Sequence, residues 1–240
     1  MIDFTTVIAT DERYLPLLRL TWQTWQRHRP ELFARPLLVL AAVPAADLDF
    51  VRRGHPNVRI VDIPPHDGPT RERVFTAFIQ LAPWLVETPW FFKLDVDTVA
   101  RRPDAGWCAD GLVENDPVFV ASPWNYTKPA DAVQRLDRWA DTVPELAKFP
   151  ALNLPFDPAA GRVITRGRVA SYTYFGRTDW HRWLSTLCRT LPLPSQDTLT
   201  WYVARRTGAF FRQHKMKRFG WNFCNHRGLA AEVKQILEAP

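Results

Sequence analysis

Two aspartates follow a hydrophobic stretch near the middle of the chain. The segment reads WFFKLDVDTVARRP, in which Trp90 to Phe92 have the character of interior strand residues and Asp95 and Asp97 stand two positions apart. Alternation along a strand sends both carboxylates to the same face. Two neighbouring anions need a cation, a shared proton or open water. Because oxygen ligands favour a hard divalent ion, the pair predicts a site for Mg²⁺ or Mn²⁺, the alternative being a solvated strand end.

Patterns in the first half of the chain predict the elements that carry this pair. Four stretches read as buried strands, namely FTTVIAT, RPLLVLAAV, NVRIVDI and the stretch that ends at the aspartates. One amphipathic helix is predicted from the spacing of Leu15, Leu18, Trp22 and Trp25. A second helix, in PTRERVFTAFIQLAPWLVE, opens at Thr70 and is kinked or ended by Pro83. This alternation indicates an α/β fold with a mostly parallel, helix-flanked sheet and ligands beyond the carboxyl ends of its strands.

The second half is less regular. PVFVASPWNY reads as a strand, and VASYTYFGRTDWHRW as a strand, a turn at Gly176 and a helix capped near Asp179. In SQDTLTWYVARRTG, Ser195 is the predicted N-cap and Gly208 the stop of a helix. LAAEVKQILEA predicts a final short helix, whereas the proline-rich segment 128–168 fits no pattern.

Composition limits the classes of protein that fit. A chain of 240 residues with 46% hydrophobic and 23% charged residues suits one soluble domain. Neither a membrane-spanning stretch nor a signal peptide is recognisable, and Cys108, Cys188 and Cys224 lie too far apart for a disulfide framework, so a cytoplasmic protein is predicted. Six Lys or Arg between Arg205 and Arg218 contribute to the net charge of +6. They form either a solvated face or a surface for a phosphate-bearing ligand, an anionic membrane or nucleic acid.

Taken together, these motifs resemble the nucleotide-sugar glycosyltransferases of the GT-A (Rossmann-like) fold, closest to small bacterial and family 8 enzymes. FFKLDVDTV resembles the family's Asp-x-Asp strand end, and YFGRTDWHRW the segment that flanks its sugar pocket. PSQDTLTW resembles its Gln-Asp helix start, and NHRG its His-x-Gly segment. One departure is that LAAEVKQ stands where family 8 has Lys-Pro-Trp after that segment.

The resemblance implies a single GT-A domain whose residues 1–100 bind the nucleotide and whose residues 101–240 face the acceptor. It implies a divalent cation, Mn²⁺ or Mg²⁺, held by Asp95, Asp97 and His226 at the diphosphate of a nucleotide-sugar, UDP-sugar by expectation. The implied acceptor is a glycan or glycolipid, with no nucleic-acid partner and possible contact at the inner face of an anionic membrane. The implied substrate-binding residues are Thr10, Asp11, Arg73, Trp124, Asn125, Gly176 and Gln196.

Asp197 is the candidate catalytic residue. In the first turn of its helix it either complements the helix dipole alone or acts on the sugar. If the anomeric configuration inverts, it would serve as the base for the acceptor hydroxyl; if configuration is retained, it would stabilise a cationic transition state or orient a hydroxyl.

Three other functions compete with this assignment. The motif DVDTV also fits phosphatases of the haloacid-dehalogenase type, with Asp95 as nucleophile, but that fold begins with this strand and needs a later acidic pair. A nucleotidyltransferase would carry a glycine-rich loop after the first strand, and ATDERYLP contains no glycine. A basic, non-catalytic module that binds nucleic acid or anionic glycolipid explains the charge and leaves the paired aspartates unused.

Overall fold

The computed structural model describes most of the chain. The described residues are 2–64, 70–101, 113, 115–124, 127–165, 168–190, 192, 195–213, 221–223 and 227–238.

The first half alternates strands and helices, as its hydrophobic pattern predicts. Its elements are β1 (Phe4–Asp11), α1 (Leu15–His28), α2 (Pro30–Phe33), β2 (Leu37–Ala42), a 3₁₀ turn (Ala45–Leu48), α3 (Asp49–Gly54), β3 (Arg59–Asp62), α4 (Thr70–Phe75), a π-helical segment (Thr76–Leu81), α5 (Ala82–Leu85), β4 (Trp90–Leu94) and β5 (Thr98–Ala100). The helical run that opens at Thr70 therefore changes to π geometry before Pro83. Pro83 then lies in the first turn of α5, where its missing N–H is tolerated.

The second half adds a sheet edge and further helices. Its elements are β6 (Phe119–Trp124), β7 (Thr127–Pro129), α6 (Ala130–Asp141), α7 (Pro144–Ala147), β8 (Phe156–Asp157), β9 (Arg162–Ile164), β10 (Arg168–Arg177), α8 (Thr178–Leu187), α9 (Gln196–Thr207), β11 (Arg212–Gln213), β12 (Trp221–Phe223) and α10 (Leu229–Glu238). The segment that fits no sequence pattern thus contains two helices and three short strands.

A seven-stranded sheet forms the centre of the described structure, in the order β11-β6-β10-β4-β1-β2-β3. Strand β10 runs antiparallel to β4 and β6, and the other neighbouring strands are parallel. The chain moves outward from β1 to β2 and β3, then returns to β4 on the other side of β1. The gap between the carboxyl ends of β1 and β4 is therefore a topological switch point, where sheets of this kind bind ligands.

Helices cover both faces of the sheet. On one face, Phe92 and Leu94 pack with α1 residues such as Trp22 and Trp25. On the other face, Phe91 packs with residues of the π-helical segment, α8 and α9. Consecutive residues of β4 thus point to opposite layers, as alternation requires. None of the described helices is both long and apolar enough to cross a membrane.

Candidate functional site

A small cavity of about 90 Å³ opens at the switch point. It is lined by Ala9, Tyr14, Arg73, Val74, Phe78, Asp95, Val96 and Asp97. These residues come from β1, the start of α1, α4, the π-helical segment and the turn after β4. A larger groove of about 470 Å³ between α1 and α3 is lined by Arg19 and Phe50, among others, with no carboxylate among its described lining residues.

Asp95 and Asp97 reach the cavity from a turn. Strand β4 ends at Leu94, and the N–H of Thr98 donates to the Asp95 carbonyl oxygen at 3.0 Å, which closes the turn. Both aspartates are partly buried and line the same cavity. The prediction that they share one side is confirmed, but the stated reason was wrong because a turn, and not strand alternation, holds them there.

A fully buried lysine lies directly beneath Asp95. The Lys93 Nζ is 2.8 Å from each carboxylate oxygen of Asp95. In the sheet register Lys93 pairs with Tyr174 of β10. Its ammonium group lies 4.9 Å from the ring centre of Phe78 and 5.8 Å from that of Tyr174. The cationic head is thus held between two aromatic rings and one carboxylate.

Several charges converge on Asp95. Burial raises the pKa of its carboxyl to about 7, the Lys93 ammonium opposes this shift, and the negative charges of Asp97 and Asp197 add to it. Burial is thus the main cause of the shift, and the two interactions of Lys93 with Asp95 outweigh the repulsion from Asp97 and Asp197. Three carboxylates around one ammonium group still carry a net negative charge, which attracts a further cation.

Arg73, which lines the cavity, forms an ion pair with Asp11. Arg73 Nη1 lies 3.1 Å from Asp11 Oδ2, and the guanidinium carbon lies 4.3 Å from the ring centre of Tyr14. Asp11 Oδ1 also accepts the Tyr14 backbone N–H at 3.0 Å, so this carboxylate fixes the turn that leads into α1. Burial lowers the pKa of Arg73, a shift that Asp11, Tyr14, Asp95 and Asp97 oppose. Arg73 Nε is buried without a hydrogen-bond partner among the described residues.

The first turn of α9 brings Gln196 and Asp197 to the same region. Ser195 caps the helix as predicted, because its Oγ accepts the Thr198 N–H, and the same Oγ donates to Asp197 Oδ2 at 3.2 Å. Gln196 is buried and its Nε2 donates to the Tyr174 hydroxyl at 3.0 Å. Its Oε1 has no hydrogen-bond partner among the described residues.

Tyr174 connects this turn with the aspartate pair. Its hydroxyl is fully buried, and its pKa is raised by burial and by the charges of Asp197 and Asp95. Asp197 therefore acts electrostatically on both Tyr174 and Asp95.

Two predicted substrate-binding residues lie away from the cavity. Thr10 is fully buried and, by strand alternation, faces the layer opposite to Ala9. Gly176 lies within β10 and not in a turn, paired with Phe91 and so about 10 Å from the carboxyl end of β4. A Cβ at Gly176 would come within 2.6 Å of the Phe91 ring and 2.7 Å of the His181 ring. Close packing, and not contact with a sugar, is what requires a glycine there.

The remaining predicted residues lie at the limits of the described structure. Asn125 and His226 lie outside the described residues, and Trp124 is described only by its backbone at the end of β6. The pairing of β12 with β5 places the backbone of Phe223 opposite Thr98, beside Asp97. Sequence reasoning missed Tyr14, Phe78, Lys93 and Tyr174. Of these, Lys93 carried a signal, because a lysine in an otherwise apolar strand needs an anion on the same face, two residues away.

The donor set suits a hard divalent cation in part. Asp95 and Asp97 offer two carboxylates to one cavity with uncompensated negative charge, as Mg²⁺ or Mn²⁺ prefers. Within the described ranges, no three His, Cys, Asp or Glu side chains are grouped closely enough to hold a metal ion. A third protein ligand would have to come from elsewhere, as His226 was predicted to do.

Comparison with known proteins gives structural matches only. No family model and no curated protein sequence matches the chain. The mannosyltransferase Ktr4p from S. cerevisiae in complex with GDP superposes with a TM-score of 0.58 at 9% identity, over 88% of this chain and 69% of that one. The Mn/GDP form of core-mannan synthase A from Aspergillus fumigatus gives 0.56 at 10% identity, over 86% and 72%. An active-site mutant of LgtC gives 0.51 at 12% identity, over 89% and 73%. The chain therefore has the GT-A fold, an α/β architecture with a mostly parallel central sheet.

Proposed function

We propose that this protein is a metal-dependent glycosyltransferase that moves a sugar from a nucleotide-sugar to a hydroxyl of a glycan or glycolipid. The observation that carries the proposal is the convergence of Asp95, Asp97 and Asp197 at the switch point of a GT-A sheet. Two structural neighbours are a mannosyltransferase in complex with GDP and a core-mannan synthase in an Mn/GDP form. UDP remains the donor nucleotide that the sequence resemblance implies, and GDP is its rival.

Asp95 and Asp97 would hold the divalent cation, with His226 as the proposed third ligand. The cation, when bound, supplies Lewis-acid stabilisation of the charge on the departing diphosphate. Arg73 and Tyr14 line the cavity, and Asp11 is paired with Arg73 beside it. They would bind the base and ribose through one carboxylate, one guanidinium and one aromatic ring.

Asp197 and Gln196 would act on the sugar. The Gln196 amide is oriented by Tyr174 and keeps an unused buried acceptor, Oε1, which suits a sugar hydroxyl donor. Asp197 is held by Ser195 at a helix N-terminus, which favours the ionised form. In that form it serves as a base in an inverting reaction or stabilises a cationic transition state in a retaining one.

Two observations speak against the phosphatase alternative. Asp95 follows the fourth strand of the chain, whereas the phosphatase fold begins with the strand that carries its nucleophile. Both carboxylate oxygens of Asp95 also contact Lys93 Nζ, which would lower the nucleophilicity of the carboxylate. The basic-module alternative also weakens, because Arg206 of the basic segment is a buried structural residue, bonded to Tyr202 and Asp141.

Thermal unfolding tests the proposal directly. The protein is heated with UDP or GDP, each with and without Mn²⁺, and with Mn²⁺ alone. We expect a rise of about 5–10 °C with one nucleotide at about 100 times its Kd, only when metal is present. Asp95→Asn and Asp97→Asn should abolish the metal-dependent part. Asp131→Asn, a surface acid that pairs with Arg135, should leave it intact. Indifference of the wild-type protein to both nucleotides would contradict the proposal.

A transfer assay follows on the nucleotide that binds. Release of that nucleotide diphosphate from its sugar conjugates, in the presence of candidate glycans, identifies the donor sugar. We expect Asp97→Asn to reduce turnover at least about 100-fold, because transition-state charge is then no longer stabilised. Turnover that survives this substitution would exclude a metal bound by the aspartate pair.

A further inference from the structure

Lys93 occupies the face of Asp95 that a cation would use. Its Nζ is 2.8 Å from both carboxylate oxygens, so it lies where a metal ion would bind the carboxylate with two oxygens. The side chain is fully buried, and the rings of Phe78 and Tyr174 enclose it from the sides. The ammonium group is therefore part of the folded core and not a mobile surface charge.

This arrangement sets two cations in competition for one carboxylate. A divalent ion on Asp95 would either displace Nζ from one oxygen or bind close to a positive charge that repels it. The surrounding charges are also partly balanced already, since Lys93 and Arg73 oppose Asp11, Asp95, Asp97 and Asp197. A free ion gains less from this cavity than the number of carboxylates suggests.

We propose that Lys93 is an internal counter-ion that keeps the affinity of Asp95 and Asp97 for a divalent cation low until a nucleotide diphosphate is bound. This inference rests on the proposed function. The diphosphate adds negative charge and oxygen ligands, which outweigh the repulsion from the ammonium group. Metal and nucleotide then strengthen each other's binding by the same factor. Lys93 acts through Asp95 and is a positioning residue, not a catalytic one.

Direct Mn²⁺ binding, followed by the EPR signal of the free ion at pH 8, tests the role of the charge. The variants are Lys93→Met, which suits the apolar shell, and Lys93→Gln, which keeps a donor for Asp95 without the charge. Without nucleotide, both should bind Mn²⁺ at least about tenfold more tightly than the wild type. In both variants a proton also binds Asp95 more readily and competes with Mn²⁺. Loss of the repelling ammonium charge nevertheless favours Mn²⁺ more than the proton, because Mn²⁺ carries two positive charges. The net direction is therefore tighter binding.

UDP and GDP form the second arm of the experiment. The one that binds should tighten Mn²⁺ binding to the wild type at least about tenfold, and should do so less in the two variants. Circular dichroism and thermal unfolding establish that each variant is folded. Should neither variant fold, the wild type alone decides, since a Kd for Mn²⁺ below about 10 μM without nucleotide would overturn the inference.

The outcomes separate this inference from the proposed function. If Lys93→Met binds Mn²⁺ no more tightly than the wild type does, the counter-ion role is overturned. A Lys93→Gln variant that behaves as the wild type overturns it too, because orientation and not charge would then be what matters. A wild-type protein that ignores both nucleotides contradicts the proposed function, whereas the measurement on Lys93→Met without nucleotide still decides the role of Lys93.

Discussion

Two of the networks of buried charge within the described residues differ in their surroundings. Between α6 and α9, the side chain of Arg206 is 1% exposed and donates to the Tyr202 hydroxyl at 2.8 Å, to Asp141 and to the Phe149 carbonyl oxygen at 2.9 Å. Tyr202 in turn donates to Asp137. The Arg206 Nε lacks a partner among the described residues, but both terminal nitrogens are satisfied.

The network at the switch point retains buried polar atoms without hydrogen-bond partners among the described residues. Burial raises the pKa of Asp95 to about 7 although Lys93 contacts both of its oxygens. Arg73 Nε, like Arg206 Nε, is buried without a partner among the described residues, and so is the acceptor Gln196 Oε1. The difference is that Arg73 lines a cavity, where an unused polar atom indicates a ligand, whereas the α6–α9 network ties two helices together.

Breaking the α6–α9 network should give the largest change in stability. We expect Arg206→Met to lower the free energy of unfolding by about 3–5 kcal/mol, because Asp137 keeps a partly buried charge with no cation beside it. The melting temperature should fall by about 10 °C. Nucleotide and metal binding of the folded fraction should not change.

Arg205→Met is the matched control, since Arg205 is the exposed neighbour on the same helix. It should change stability by less than about 0.5 kcal/mol. Loss of metal-dependent nucleotide binding in the Arg206 variant would show that the two networks are one.

His181 of α8, which stacks on Tyr174, should make the stability of the fold sensitive to acid. Burial lowers the pKa of its ring to about 4, opposed by its 2.9 Å hydrogen bond to the Arg177 carbonyl oxygen. The unfolded chain takes up this proton near pH 6.5, so the contribution is present above pH 6.5 and is lost towards pH 4. In urea unfolding, His181→Phe should gain up to about 3 kcal/mol relative to the wild type between pH 7.5 and 4. Parallel pH curves for the two proteins would contradict this.

Asp95 should respond to pH with the opposite sign. Its pKa of about 7 lies above the ordinary value of 3.8, so the folded state binds the extra proton between these limits. Stability from this group is present below about pH 4 and is lost as the pH rises through 7. In the wild type with metal removed by a chelator, the free energy of unfolding should fall by an amount on the order of 2 kcal/mol between pH 4 and pH 7, and Asp95→Asn should abolish this fall. A variant curve that keeps this fall would assign it to another group.

Tyr174 and Tyr202 permit the finest comparison. Tyr174→Phe should cost about 1 kcal/mol of stability, because Gln196 Nε2 then keeps only its 3.3 Å bond to Thr200. Turnover should fall about tenfold, since the amide is no longer oriented towards the sugar. Tyr202→Phe should lower stability without changing turnover per folded molecule. Equal turnover in both variants would remove Gln196 from the site.

Local sequence signals predicted the parts of the fold with strong periodicity or caps. Strand β1, helix α1 and strand β4 followed from hydrophobic pattern, and the bounds of α9 from Ser195 and Gly208. Helix α6 was missed although Ala132, Val133, Leu136 and Ala140 recur at helical spacing on one buried face. The short strands β7, β8 and β9 gave no such signal, because pairing with one another forms them. Gly176 was wrongly predicted as a turn, since a glycine that permits close packing looks the same in the sequence.

The site was predictable only where neighbours in sequence are neighbours in space. Asp95 and Asp97 stand together in both, and so do Gln196 and Asp197. The pairs Arg73 with Asp11 and Tyr174 with Gln196 depend on the assembled sheet, and no local pattern reveals them. The role of His226 as a metal ligand and that of Asn125 as a substrate-binding residue remain predictions. So does the division of the chain into nucleotide-binding and acceptor-side halves.

The π-helical turn at Thr76–Leu81 divides one helical run into two parts. The side-chain faces of the two parts are rotated relative to each other about the helix axis. An α-helix advances about 100° per residue, so one extra residue in this turn reorients everything after it. The part before it carries Arg73, while the part after it packs with α8, where Trp84 donates to Ser185 at 3.0 Å. Removal of a single residue from this turn would force a choice between the two faces, which makes the local length of the chain as important here as the identity of any side chain.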